Sequence, residues 1–124
     1  MAVEIVNWLE IPVLDMDRAR KFYEAVFEFT IVDMEVDGEN YPSFPNKNGE
    51  GFSGALVQYD FTKPGSKGPL VYLNAYDGVE RMIEKVLFAG GTVVKAPEEI
   101  APGFGYQAIF EDTEGNLLAF QGEK

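Results

Sequence analysis

Two stretches of the chain alternate apolar and polar residues, and each leads into a segment with helical spacing. In residues 4–13, Ile5, Leu9, Ile11 and Val13 occupy alternate positions, and this period of two predicts a β-strand. One face of that strand is then apolar, while the other face mixes aromatic and charged side chains.

A helix is predicted directly after this strand. Asp15 stands where an N-cap residue accepts a backbone hydrogen bond, and Asp17 in the first turn suits the helix dipole. Apolar residues then recur three and four positions apart, as one buried helix face requires. They are Ala19, Phe22, Tyr23, Val26 and Phe27.

The first half of the chain closes with three more predicted strands. Residues 29–36, 41–46 and 52–59 are rich in β-branched and aromatic side chains, and glycines separate them. Residues 60–68, DFTKPGSKG, are polar and contain Gly and Pro. This segment therefore reads as a connector.

The second half repeats the plan of the first. Asp77 precedes a second helical pattern 62 residues after Asp15, and Gly90–Gly91 ends that pattern as a left-handed cap. The run ALVQ at 55–58 returns as LAFQ at 118–121, 63 residues later. Strands are predicted at 70–76, 92–95, 106–111 and 117–121, with a tight turn within 114–116. We therefore predict one domain, residues 1–124, in which β-α-β-β-β modules 1–60 and 69–124 are joined by linker 60–68.

Composition excludes several classes of function. The chain has 10 Lys and Arg against 21 Asp and Glu, a net charge of −11, so no nucleic acid partner is predicted. It contains neither histidine nor cysteine, which removes the commonest metal ligand, the commonest general base and every thiol. No run approaches the ~18 consecutive apolar residues of a membrane span, so no membrane partner and a cytoplasmic location are expected.

Two segments resemble a known family. Residues 6–27 contain the D-x-D-R-A-x-x-F-Y core, and residues 104–121 contain a D-x-x-G-N turn. Together they resemble the vicinal oxygen chelate superfamily, which holds glyoxalase I, bleomycin-resistance proteins and extradiol dioxygenases. The resemblance implies an α+β fold whose two β-α-β-β-β modules form an open, U-shaped mixed sheet. It also implies a homodimer with ligand sites in the sheet concavity or at the subunit interface.

The residues at the family's metal positions are not metal ligands. By the resemblance, these positions fall at Trp8 and Leu70 on the leading strands and at Leu56 and Ala119 on the closing strands. None of these side chains offers a lone pair that suits a divalent cation. We therefore predict no metal and no cofactor.

A small-molecule site is predicted in the concavity. Strand parity and repeat symmetry place apolar side chains and a few polar ones on the same concave face, a composition typical of binding pockets. The alternative is a cavity that is filled by the protein's own side chains. Glu10 is the one catalytic candidate; the alternative is that its carboxylate is only solvated or paired with a cation. Candidates for the rim of the site are Tyr41, Phe44, Phe104 and Tyr106. The predicted ligand-binding residues are Trp8, Glu10, Leu56, Gln58, Leu70, Tyr72, Asn74, Ala119 and Gln121.

Three functions remain open at this point. The first is a metal-independent protein, similar to bleomycin-resistance proteins, that binds a small cationic or aromatic molecule without catalysis. The second is a lyase or isomerase that uses Glu10 in place of a metal. The third is a regulatory module whose pocket is vestigial. The sequence leaves open whether the protein is an enzyme.

Overall fold

A computed structural model describes residues 1–124. The first half consists of strand β1, helix α1 and strands β2 to β4, and the second half repeats this order from β5 to β8 around helix α2. The bounds are β1 Leu9–Pro12, α1 Met16–Phe27, β2 Val32–Val36, β3 Glu39–Pro45, β4 Phe52–Val57, β5 Tyr72–Asn74, α2 Val79–Phe88, β6 Thr92–Ala101, β7 Gly105–Glu111 and β8 Leu117–Gly122.

The strands form two mixed sheets of the same topology. Sheet 1 has the order β1-β4-β3-β2 and sheet 2 the order β5-β8-β7-β6, and in each the leading strand runs parallel to the closing strand. The α+β class and the two β-α-β-β-β modules are therefore confirmed. No strand pairing joins β1 to β5, so the two sheets remain separate four-stranded units.

Local sequence signals mark the start of α1 and the end of α2. The Asp15 side chain accepts the backbone N–H of Arg18 at 3.1 Å and so caps α1. Gly90 follows α2 with φ of 102°, a backbone conformation that residues with a Cβ rarely adopt. Neither helix is long and apolar enough to cross a membrane.

Strand lengths differ from the predicted ones. β1 starts at Leu9 rather than at residue 4, because its pairing with β4 begins at Leu9 and Gly54 and residues 1–8 pair with no strand. β6 extends to Ala101 instead of ending at 95, since β7 pairs with it along its length through several register shifts. Pro97 is tolerated there because β6 is an edge strand.

One hydrophobic core connects the two modules. It contains 18 buried residues drawn from both helices and both sheets. The rings of Phe22 on α1 and Phe110 on β7 lie 6.4 Å apart, so α1 contacts the second sheet as well as the first. The faces of the sheets that turn toward the helices are therefore packed, and the opposite faces, called here the open faces, are available to other molecules.

The β7–β8 turn fastens the second module to α1. The Tyr23 hydroxyl donates to the buried Asp112 carboxylate at 2.6 Å. The Glu114 carboxylate accepts the backbone N–H of Asp15 at 2.8 Å and the guanidinium of Arg18 at 2.8 Å. The D-x-x-G-N motif thus supplies a tight turn and also the polar joint between modules.

Candidate functional site

The register of sheet 1 decides which side chains reach its open face. Ile11 pairs with Leu56, and both belong to the buried core. Because neighbours along a strand point to opposite faces, Glu10 and its partner Ala55 lie on the open face. Ser43 on β3 pairs with Ala55 and shares that face. Small, covered side chains therefore form the floor beside Glu10.

Three side chains form a hydrogen-bonded group on the open face of sheet 1. The Trp8 indole N–H donates to Glu10 Oε2 at 3.2 Å, and the Tyr59 hydroxyl donates to the same oxygen at 2.9 Å. Glu10 is exposed, and its Oε1 accepts no hydrogen bond within the chain. The group therefore offers one free carboxylate oxygen beside an indole ring that is 41% exposed.

Tyr59 is a member of this group that sequence reasoning missed. It follows β4 in the irregular segment 58–71, where strand parity no longer predicts a direction. Partial burial, together with the Glu10 carboxylate, raises the pKa of Tyr59 above its ordinary value, so the hydroxyl stays protonated at neutral pH. Its ring stacks on Phe61 at 4.7 Å, and Phe61 is 82% exposed.

Sheet 2 presents a related open face. Val71 and Leu73 pack against the core, so Tyr72 between them points to the open face, where it pairs with Ala119. Tyr72 is 47% exposed, whereas Ala119 is fully covered. Leu70 is also exposed and shares the parity of Tyr72.

The predicted position of Leu56 is wrong. Leu56 is fully buried on the helix side, and the residue that corresponds to Ala119 is Ala55, 64 residues earlier. The ALVQ and LAFQ runs suggested an offset of 63, and a shift of one residue moves a strand side chain to the other face. Leu56 therefore has no access to a ligand on the open face.

The remaining predicted ligand residues lie at the ends of strands. Gln58 donates to the carbonyl of Leu14 at 3.0 Å, and Gln121 donates to the carbonyl of Phe104 at 3.4 Å. Asn74 ends the edge strand β5 and lines a cleft on the helix side. The structure thus brings Trp8 and Glu10 into direct contact and leaves the amides of these three residues apart from them.

The four rim candidates are dispersed. Phe44 is buried in the core at 7% exposure, on the helix side of β3. Tyr41 precedes it on the open face and neighbours Tyr59. Phe104 and Tyr106, at the β6–β7 turn, are exposed. A common rim made of all four is therefore wrong, because Phe44 has the opposite parity to Tyr41.

The residues at the family's metal positions do not fit a metal ion. Trp8 and Leu70 lie just before the two leading strands, Ala119 lies on β8, and Leu56 is in the core. No three His, Cys, Asp or Glu side chains anywhere in the chain lie close enough together to hold one. On the open face of sheet 1, the chemistry beside Trp8 is therefore that of aromatic rings, the Tyr59 hydroxyl and the Glu10 carboxylate.

Solved structures share this fold. A member of the glyoxalase/bleomycin resistance protein/dioxygenase superfamily from Sphaerobacter thermophilus is 24% identical over 98% of each chain, with a TM-score of 0.70. TnmS3, an antibiotic binding protein from Streptomyces sp. CB03234, is 21% identical over 100% of this chain and 99% of its own, with a TM-score of 0.66. A glyoxalase/bleomycin resistance protein from the same Streptomyces is 23% identical over 92% and 96%, with a TM-score of 0.58.

Sequence comparison identifies the family. No curated protein matches the chain. The family model for the glyoxalase/bleomycin resistance protein/dioxygenase superfamily matches residues 5–120, which is nearly the whole sequence and includes both modules. This extent agrees with the duplicated fold and with the two segments that carry the resemblance. The chain belongs to the glyoxalase/bleomycin resistance protein/dioxygenase superfamily.

Proposed function

We propose that this protein binds a small cationic or aromatic molecule on the open faces of its sheets, as a homodimer and without a metal. The observation that carries the proposal is the Trp8–Glu10–Tyr59 group. It combines an exposed indole face, which attracts planar or cationic groups, with a carboxylate oxygen that has no partner in the chain. Two hydrogen-bond donors hold Oε2 of Glu10 in place, so the free Oε1 has a fixed direction.

The wider surface supports this choice of ligand. Sheet 2 adds Leu70 and Tyr72, both exposed, and large exposed apolar side chains that share one face indicate an interaction site. A net charge of −11 favours the approach of cations. The name of TnmS3 describes that protein as antibiotic binding, and we extend to this chain only the idea of sequestration without chemistry.

Binding is tested with a matched pair of probes, N-methylquinolinium and neutral quinoline, by isothermal titration calorimetry. We expect the cation to bind about tenfold more tightly, because a charge-assisted contact to Glu10 is available only to it. Glu10→Gln should remove this preference, and Trp8→Leu should weaken both ligands. The control is Glu84→Gln, an exposed carboxylate on α2 without a partner.

Two outcomes would contradict the proposal. Equal affinity of both probes for the wild-type protein would remove Glu10 from recognition. If no molecule in a thermal-shift screen of metabolites and cationic drugs raises the melting temperature, there is no native-state ligand among them. That result would favour a regulatory module with a vestigial pocket.

The Tyr59–Glu10 hydrogen bond favours a second candidate, a lyase or isomerase. A carboxylate beside a protonated phenol is a pair that can accept one proton and donate another. In this case Glu10 acts as the base and Tyr59 as the acid. With any substrate found in the screen, Glu10→Gln should abolish turnover and Tyr59→Phe should lower kcat more than it changes KM. Unchanged turnover in Glu10→Gln would exclude this mechanism.

A further inference from the structure

A second cleft opens on the helix side of sheet 1, and none of Trp8, Glu10 and Tyr59 lines it. Its volume is about 570 Å³, within the size range of small-molecule sites. Leu9 and Ile11 of β1 form one wall, and they point to the face opposite Glu10. Most of the lining is apolar and contains five aromatic rings, namely Tyr23, Phe27, Phe29, Phe44 and Tyr76. We call this the inner cleft.

The inner cleft lies at the C-terminal end of α1, whose Tyr23 and Phe27 line it. Glu28 follows the helix in a left-handed conformation with φ of 54°, and the Phe29 ring lies 5.6 Å from that of Phe27. The Phe29 ring stacks on Phe44 at 5.9 Å. From the second module, the Tyr76 hydroxyl donates to the carbonyl of Phe27 at 2.7 Å. These contacts hold the aromatic walls in place and leave the space between them open.

The polar groups of the inner cleft lie at its edge. Lys47, in the short helical turn between β3 and β4, is the one charged residue in the lining, and it forms no ion pair. The Lys47 ammonium at the mouth of the aromatic cleft is therefore free to pair with an anionic group that enters it. Ser53 and Asn74 also line the cleft and are exposed.

From this arrangement we propose that the inner cleft is a second ligand site, which takes a planar aromatic molecule that carries an acidic group. The ring system enters between Phe27, Phe29 and Tyr76, where offset or edge contacts with aromatic walls are favourable. The carboxylate or sulfonate then reaches Lys47, with hydrogen bonds from Ser53 or Asn74. The charge preference is opposite to that of the open face, so one protein binds two classes of ligand on opposite sides of sheet 1.

The proposal is tested with 2-naphthoate and its neutral analogue 2-naphthamide, by calorimetry and by amide chemical shifts. We expect 2-naphthoate to bind about tenfold more tightly, since only the anion forms a charged hydrogen bond with Lys47. Lys47→Gln should reduce the affinity for 2-naphthoate to that for 2-naphthamide. Amide signals of Phe29 and Lys47 should shift on binding, whereas the indole signal of Trp8 should not move.

Two variants separate the inner cleft from the open face. Lys63→Gln removes another unpaired lysine, in the connector outside the cleft, and should leave both affinities unchanged. Trp8→Leu alters the open face and should leave the affinity for 2-naphthoate unchanged. The proposal is overturned if 2-naphthoate fails to bind at millimolar concentration, if Lys47→Gln has no effect, or if Trp8→Leu abolishes binding.

Discussion

At the scale of single residues, Glu114 forms a partly buried salt bridge between the two modules. Its side chain is fully buried, whereas that of Arg18 is 48% exposed. Burial alone would raise the pKa of Glu114, but hydrogen bonds from Arg18, Thr113 and two backbone amides outweigh it and lower the pKa to about 2. The carboxylate is therefore charged at any pH at which the protein is used, and this charge stabilises the joint between the modules.

Glu114→Gln should lower the free energy of unfolding at pH 7 by about 2 kcal/mol, measured by urea denaturation. The lost charge weakens the contact with Arg18, and the exposure of Arg18 keeps the loss below that of a fully buried pair.

The stabilising effect of the Glu114 charge is complete above pH 4.5, the ordinary pKa of the group, and declines as the pH falls toward 2. The difference between wild type and variant should therefore shrink below pH 4.5. An equal difference at pH 7 and pH 3, or an equal loss in Glu84→Gln, would contradict this assignment.

Tyr23 supports a second residue-scale prediction. Its hydroxyl is buried and donates to Asp112, whose other contacts are the backbone amides of Glu114 and Asn116 and the side-chain amide of Asn116. Tyr23→Phe leaves one acceptor site of a buried carboxylate unsatisfied, which costs about 1–3 kcal/mol. Thermal unfolding should show a clear loss of stability. Tyr106→Phe, which removes an exposed hydroxyl, should be neutral; a similar loss in both variants would contradict the role of the hydrogen bond.

The predictability of the candidate site also depends on single residues. Trp8 and Glu10 could be placed on one face because they lie two residues apart around the start of a regular strand, where alternate side chains point to the same face. Leu56 could not be placed on the correct face, because the offset between β4 and β8 differs by one residue from the offset that the similar ALVQ and LAFQ runs suggested. Tyr59 lies beyond the end of β4, where its direction depends on tertiary contacts with Glu10 and Phe61.

At the scale of elements, the parallel pair β1–β4 depends on a close backbone approach. A Cβ built on Gly54 would overlap the carbonyl oxygen of Leu9, whereas Gly65 has open space around it. Gly54→Ala should therefore separate the strands and destabilise the protein by about 2 kcal/mol or more, by urea denaturation. Gly65→Ala is the matched control and should change stability little. Wild-type stability in Gly54→Ala would show that β1 shifts without cost.

The elements differ in how far their bounds follow from local sequence. The helices were predictable because caps and apolar spacing lie within the helix itself, as Asp15 and Gly90 illustrate. Strand bounds depend on neighbours: β1 loses residues 4–8 because β4 offers them no partner, and β6 gains residues 96–101 because β7 does. A strand's length is a property of the pair, so alternation in one segment cannot determine it.

At the scale of the whole molecule, the distribution of exposed apolar side chains favours self-association. Leu70 and Tyr72 on sheet 2 and Trp8 on sheet 1 are each more than one-third exposed. They lie beside two fully covered residues, Ala55 and Ala119, so the exposed apolar area of these faces comes from the larger side chains. A net charge of −11 per chain opposes nonspecific clustering, so a dimer would rely on these apolar side chains.

Tyr72→Arg tests this dimer by sedimentation velocity. The wild-type protein should sediment at twice the mass of the 13.8 kDa chain, and the variant should sediment as a monomer, because two guanidinium groups would then face an apolar interface. Phe88→Arg is the control: Phe88 is 94% exposed at the end of α2, on the helix side. It should leave the dimer intact. Dissociation by Phe88→Arg with an intact Tyr72→Arg dimer would place the interface on the helices, where the inner cleft opens, and the open faces would then remain free for ligand in each chain.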